Sequence, residues 1–68
     1  MDFGGRLAEL LQEKNLSQMV LAAEIGVSQR AVSKWVNHQA EPTASSIIAC
    51  AKYFGVTTDF LLGCSDED

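Results

Sequence analysis

Four polar side chains in the middle of the chain have types and spacing suited to hydrogen-bonded recognition. Gln29, Arg30, Ser33 and Lys34 recur at the spacing of one helical face. A glutamine amide can make two hydrogen bonds with an adenine edge, and arginine or lysine can bond the O6 and N7 atoms of guanine. The spacing by itself, however, favours a plain solvated helix face. The choice between the two interpretations therefore depends on the elements that position these residues.

The residues around this segment predict two short helices joined by a sharp turn. Ser17 and Ser28 are preferred N-cap residues, one at the start of each helix. Gly26 lies between them and suits the left-handed conformation that ends a helix. Val32 and Trp35 give the second helix an apolar side opposite its polar face. The pattern predicts a helix-turn-helix, whose second helix presents its N-terminal residues to the major groove of DNA.

The rest of the chain continues the helical pattern, with no alternation typical of strands. Apolar periodicity and turn residues predict helices over about 3–14, 17–25, 29–37, 43–54 and 58–62, with Asp2 as the first N-cap. The apolar stripe predicted for the fourth helix is Ile47, Ile48, Cys50, Ala51 and Phe54. The fold class is therefore all-α, with one domain over 1–63 and an acidic C-terminal tail over 64–68.

Length and charge limit the possible functions. The chain has 68 residues, of which 47% are hydrophobic, and a net charge of −4. It has room for one small domain and has neither a membrane span nor a signal peptide, so we expect a cytoplasmic protein. The net negative charge disfavours binding to a polyanion. However, the segment between Glu24 and Glu41 contains no carboxylate, and it does contain Arg30, Lys34 and His38.

Enzymatic and metal chemistry are not expected. Cys50 falls in an apolar stripe, Cys64 follows the last helix, and His38 is the only histidine. These residues form neither a nucleophile–base pair nor a zinc-binding pattern. We therefore expect no catalytic residue, no metal ligand and no cofactor.

A family resemblance is carried by an ordered series of residues along the chain. The series comprises Leu16-Ser17-Gln18, Leu21-Ala22, Ile25-Gly26-Val27-Ser28, Val32-Ser33-Lys34-Trp35, Asn37, Pro42, Ala51, Phe54-Gly55-Val56 and Asp59-Phe60-Leu61-Leu62-Gly63. It resembles the lambda repressor and Cro-like regulators, also called the xenobiotic-response-element type. The resemblance covers about residues 3–63. It implies a compact five-helix domain whose second and third helices form the DNA-binding helix-turn-helix.

The resemblance also implies roles for individual residues. Those facing base edges in the major groove are Ser28, Gln29, Arg30, Ser33 and Lys34. Those contacting phosphates are Gln18, Asn37, His38 and Gln39, with a base edge as an alternative for Gln18. Those in the homodimer interface are Val56, Thr58, Phe60 and Leu61. The alternative for Phe60 and Leu61 is burial in the core.

Three departures from the family pattern generate further expectations. Leu11 and Val36 replace an Arg–Glu pair that is common in the family, and we expect these two side chains to touch. His38 stands where glycine is usual, so we expect Asn37 to take the left-handed conformation instead. Met19 and Val20 replace exposed polar residues, as isolated surface residues or as a contact for a partner.

The resemblance implies a sequence-specific regulator that binds double-stranded DNA. In this interpretation the protein is a repressor of phage or bacterial origin. It reads a palindromic operator as a homodimer, with its third helix in the major groove. The alternative is a protein-interaction module, such as an antitoxin or an adaptor. It would bind a protein partner through the third helix or through Met19 and Val20.

Overall fold

Five helices, joined by short connections, make up the described chain. The computed structural model describes residues 2–65. The helices are α1 (Phe3–Glu13), α2 (Gln18–Ile25), α3 (Gln29–Val36), α4 (Ala44–Phe54) and α5 (Thr58–Leu61). The all-α fold class is confirmed. None of the helices within the described part is long and apolar enough to span a bilayer. The acidic tail predicted over 64–68 extends past the last described residue, Ser65.

A side-chain oxygen caps the start of every described helix. The N-caps are Asp2, Ser17, Ser28, Thr43 and Thr57. Each accepts a hydrogen bond from the backbone N–H three residues further on, which would otherwise lack a partner within the helix. The caps predicted at positions 2, 17 and 28 are confirmed.

The helix ends also share one arrangement. A left-handed residue follows each described helix, at Asn15, Gly26, His38, Gly55 and Gly63. The next N–H then bonds back to a carbonyl five residues earlier, as in Gln39 N–H to Lys34 O at 2.8 Å. The expectation for Asn37 is wrong: its φ is −93°, whereas that of His38 is 61°. The chain reversal after α3 requires a left-handed residue one position beyond the C-cap Asn37, and that residue is His38.

One apolar core lies between the helices. Its fully buried side chains include Leu7, Leu21, Val32, Cys50 and Leu61, one from each helix in chain order. The stripe predicted on α4 is wrong at one position, because Ile48 is 47% exposed. The periodicity placed Ile47 and Ile48 on the same broad face. The packing of α4 against α2 and α5 half-buries the first and leaves the second at the surface.

The start of α1 packs closely on the end of α3. The rings of Phe3 and Trp35 meet edge to face, with centroids 5.9 Å apart. Gly4 is buried at this contact, and a β-carbon there would overlap the carbonyl oxygen of Trp35. The absence of a side chain at position 4 therefore lets the two helices approach.

Gly4→Ala is expected to destabilise the domain more than Gly55→Ala. The first variant pushes backbone against backbone, and we expect a loss of about 3 kcal/mol in the free energy of unfolding. The second adds a β-carbon in open space, and only its left-handed conformation opposes it, by about 1 kcal/mol. Urea denaturation of both variants measures the difference. Equal losses would show that the approach of α1 to α3 does not require glycine.

Charge substitutions test the expected contact between Leu11 and Val36. Leu11 is buried in the core, and Val36 packs against the same cluster from α3. Leu11→Arg or Val36→Glu alone is expected to lower the unfolding free energy by about 3 kcal/mol, since each leaves a charge without a partner in an apolar site. The double variant should recover most of that loss. A double-mutant cycle by denaturation gives the coupling, and additive losses would contradict the contact.

Candidate nucleic-acid interface

The turn between α2 and α3 fixes the angle between these two helices. Gly26 adopts a left-handed conformation, with φ of 78°. The Val27 N–H then bonds to the Ala22 carbonyl at 3.0 Å, and Val27 packs against the core beneath the turn. Ser28 starts the next helix by accepting the N–H of Ala31 at 3.1 Å. The chain therefore forms the predicted helix-turn-helix over two short helices.

The outer side of α3 gathers the five residues predicted to face base edges. Ser28, Gln29 and Arg30 are exposed around its first turn, while Ser33 and Lys34 lie half-buried one turn later. Val32 and Trp35 are buried on the opposite side. The helix is therefore held by its apolar side, and its polar side is free to contact a partner.

The residues predicted to contact phosphates lie at the start of α2 and the end of α3. Gln18 is the first residue of α2 and is half-buried. Asn37 is exposed, and its Nδ2 donates to Ser33 Oγ at 3.3 Å. His38 and Gln39 are exposed in the turn that follows. These positions are consistent with contacts on either side of the polar side of α3.

Asp2 is a neighbour of this surface that sequence reasoning missed. Its Oδ1 lies 3.0 Å from Nε2 of His38 and accepts the N–H of Gly5 at 2.9 Å. The Gly5 N–H first, and then the His38 contact, lower the pKa of the Asp2 carboxyl. The two residues are 36 positions apart, so no local pattern indicates that they meet. Folding thus brings a carboxylate to the edge of a segment whose own sequence has none.

The residues predicted to form the dimer interface fall into two groups. Val56, Thr58 and Phe60 are half-buried, and Phe60 carries the guanidinium of Arg6 4.0 Å above its ring. Leu61, in contrast, is fully buried in the core. Of the two alternatives for Leu61, burial in the core is the one that the structure shows, because this side chain anchors the short α5 to the rest of the domain.

The two cysteines have different environments. Burial raises the pKa of the Cys50 thiol to about 11, so this thiol is protonated at neutral pH and its sulfur is a poor nucleophile. Cys64 is exposed and makes no disulfide.

Met19 and Val20 are also exposed, at 62% and 43%. Met19 and Val20 form the apolar outer edge at the start of α2.

The capped helices, the glycine turn and the anchored polar α3 together define a helix-turn-helix DNA-binding domain of the repressor type. The sequence model of the helix-turn-helix family matches residues 7–61. The chain belongs to this family, which consists of transcriptional regulators and not of enzymes.

Individual relatives agree with the family assignment. The chain is 40% identical over 62 residues to the HTH-type transcriptional activator BcrR of Enterococcus faecalis, covering 91% of this chain and 30% of the relative. It is 33% identical over 60 residues to YonR, an SPbeta prophage-derived uncharacterized HTH-type transcriptional regulator of Bacillus subtilis (strain 168), covering 88% and 56%. The chain thus spans less than two thirds of the length of either relative.

The fold is similar to that of a repressor solved on DNA. The P22 c2 repressor protein in complex with synthetic operator 9T superposes with a TM-score of 0.88 and 26% identity. The match covers 96% of this chain and 98% of the repressor chain. The predicted five-helix, repressor-like fold is confirmed.

Proposed function

We propose that this domain binds a specific palindromic DNA site as a homodimer and regulates transcription by occupying that site. One observation carries the proposal: α3 is anchored by Val32 and Trp35, while its polar N-terminal half is exposed. A helix held in this way can enter the major groove without rearrangement of the core.

The exposed side chains of α3 have the chemistry that reading bases requires. Gln29 can bond the N6 and N7 atoms of adenine, and Arg30 or Lys34 can bond O6 and N7 of guanine. The hydroxyl proton of Ser28 remains available for a base edge, because the oxygen accepts the cap bond without using this proton. Ser33 adds a second hydroxyl on the same side.

Contacts to phosphates would fix the position of α3 in the groove. We assign them to Gln18 at the start of α2 and to Asn37, His38 and Gln39 after α3. Phosphate contacts set orientation and carry no sequence information by themselves. Their spread over both ends of the motif supports a clamp on either side of the bases being read.

The small number of cations is the argument for a homodimer. The chain carries 5 basic and 9 acidic residues, so one protomer can neutralise few phosphates. Two protomers double these contacts, and their two-fold symmetry matches a palindromic site with half-sites about one DNA turn apart. We place the dimer surface on Val56, Thr58 and Phe60. We also propose that the protein acts in the cytoplasm and requires no cofactor.

The exposed pair Met19 and Val20 favours a second candidate function, the binding of a protein partner. Contiguous exposed apolar surface is typical of protein-interaction sites, and these two neighbouring side chains are 62% and 43% exposed. Salt separates the two functions. Binding to DNA weakens steeply as salt rises, because it releases counterions, whereas apolar docking does not.

Selection of bound duplexes from a random pool at about 100 mM salt tests the leading proposal. We expect a palindromic consensus. Arg30→Ala should then weaken binding to the selected site by about 1–3 kcal/mol and relax the base preference at one position of each half-site. Titrations of the labelled site with both proteins give the dissociation constants.

Lys52→Ala is the matched control, because it removes one exposed positive charge from α4, outside the proposed contacts. It should change affinity far less than the Arg30 variant. Equal affinity of wild type and Arg30→Ala, or the absence of a consensus from a folded protein, would contradict the proposed role of α3.

Thr58→Glu tests the proposed dimer. The position is the first residue of α5, where a carboxylate suits the helix dipole and the fold should persist. Two facing carboxylates would weaken dimerisation by about 2 kcal/mol. Sedimentation equilibrium measures the effect, with Ala44→Glu, the exposed first residue of α4, as control. Equal dimerisation of the two variants would move the interface elsewhere.

A further inference from the structure

The contact between Asp2 and His38 joins the first helix cap to the turn after α3. One carboxylate oxygen of Asp2 serves both Gly5 N–H at 2.9 Å and His38 Nε2 at 3.0 Å. The cap bond fixes the position of this oxygen at the start of α1. The Asp2 oxygen therefore contacts the imidazole of His38 at Nε2, although the two residues are 36 positions apart in the sequence.

The chemistry of an ionised carboxylate determines which nitrogen of His38 carries a proton. A carboxylate has acceptors only, so Nε2 must be the donor in this contact. In a neutral imidazole the other nitrogen, Nδ1, then has a lone pair and no proton. It cannot donate a hydrogen bond to a phosphate. Only the protonated ring has an N–H at both nitrogens.

We propose that Asp2 is a positioning residue that makes the phosphate contact of His38 depend on protonation of the imidazole. The inference rests on the proposed DNA binding, in which His38 contacts the backbone. With Nε2 held by Asp2, the ring meets a phosphate through Nδ1, and that bond forms only when a proton is taken up. DNA affinity therefore falls as the pH rises.

Other charged groups near His38 come from three places. Asp2 faces it from the cap of α1. Glu41, in the connection to α4, lines the same open groove as His38, together with Pro42, Ile47 of α4 and Leu62 after α5. Lys34 lies one turn earlier on α3. Of these three groups, Asp2 is the one bonded to His38.

The test is the dissociation constant for a duplex of mixed sequence, about two helical turns long, measured between pH 5 and 8. Phosphate contacts do not depend on sequence, so the probe does not require a known operator. For wild type we expect binding to weaken with rising pH, by up to about tenfold per pH unit when one proton is fully coupled. His38→Gln should remove this dependence, so that its dissociation constant no longer changes between pH 5 and 8.

Two substitutions at Asp2 separate positioning from capping. Asp2→Asn keeps an acceptor for Gly5, but its amide can also donate to a bare Nε2, so the neutral ring can carry its proton on Nδ1 and the pH dependence should weaken. Asp2→Ser keeps the helix cap but is too short to reach the ring. Without the carboxylate, the neutral imidazole can carry its proton on Nδ1 and donate to phosphate from there, so the affinity should change much less with pH.

Calorimetry in two buffers of different ionisation enthalpy adds a direct count of protons. Wild type should take up protons on binding, and Asp2→Asn, His38→Gln and Asp2→Ser should take up fewer. Identical pH profiles for wild type and either of the last two variants would overturn the role of Asp2, although the protein binds DNA. The absence of duplex binding by wild type at every pH would instead contradict the proposed function, and this inference with it.

Discussion

The close approach of α1 to the end of α3 is the constraint on which the rest of this domain depends. Gly4 lies against the carbonyl of Trp35, where a β-carbon has no room, and Phe3 packs edge to face on the Trp35 ring. Trp35 in turn belongs to the apolar side of α3. The packing that closes the core is thus the same packing that holds the polar side of α3 toward solvent.

This arrangement explains how a short helix of only 8 residues can present a defined surface. Such a helix is not stable alone in water. Capping by Ser28, burial of Val32 and Trp35, and the reversal at His38 fix its start, its side and its end. Polar side chains on a helix held at these three points have a backbone that is already ordered before any partner is bound.

Charge is distributed unevenly along this acidic chain. The sequence keeps carboxylates out of the segment between Glu24 and Glu41, which contains the polar side of α3. The fold brings one carboxylate back at its edge, where Asp2 caps α1 and meets His38. A negative charge at that point does not neutralise α3 as a whole. It contacts one imidazole, that of His38, at Nε2.

The sequence by itself determined the helices, the caps at positions 2, 17 and 28, the turn at Gly26 and the candidate residues on α3. These features depend on neighbours within one or two turns, so residue type and spacing carry the information. Only the tertiary structure decided that Leu61 is core and Ile48 is exposed, that His38 adopts the left-handed conformation, and that Asp2 meets His38. Each of these depends on the angle and distance at which helices pack, and local periodicity does not contain that geometry.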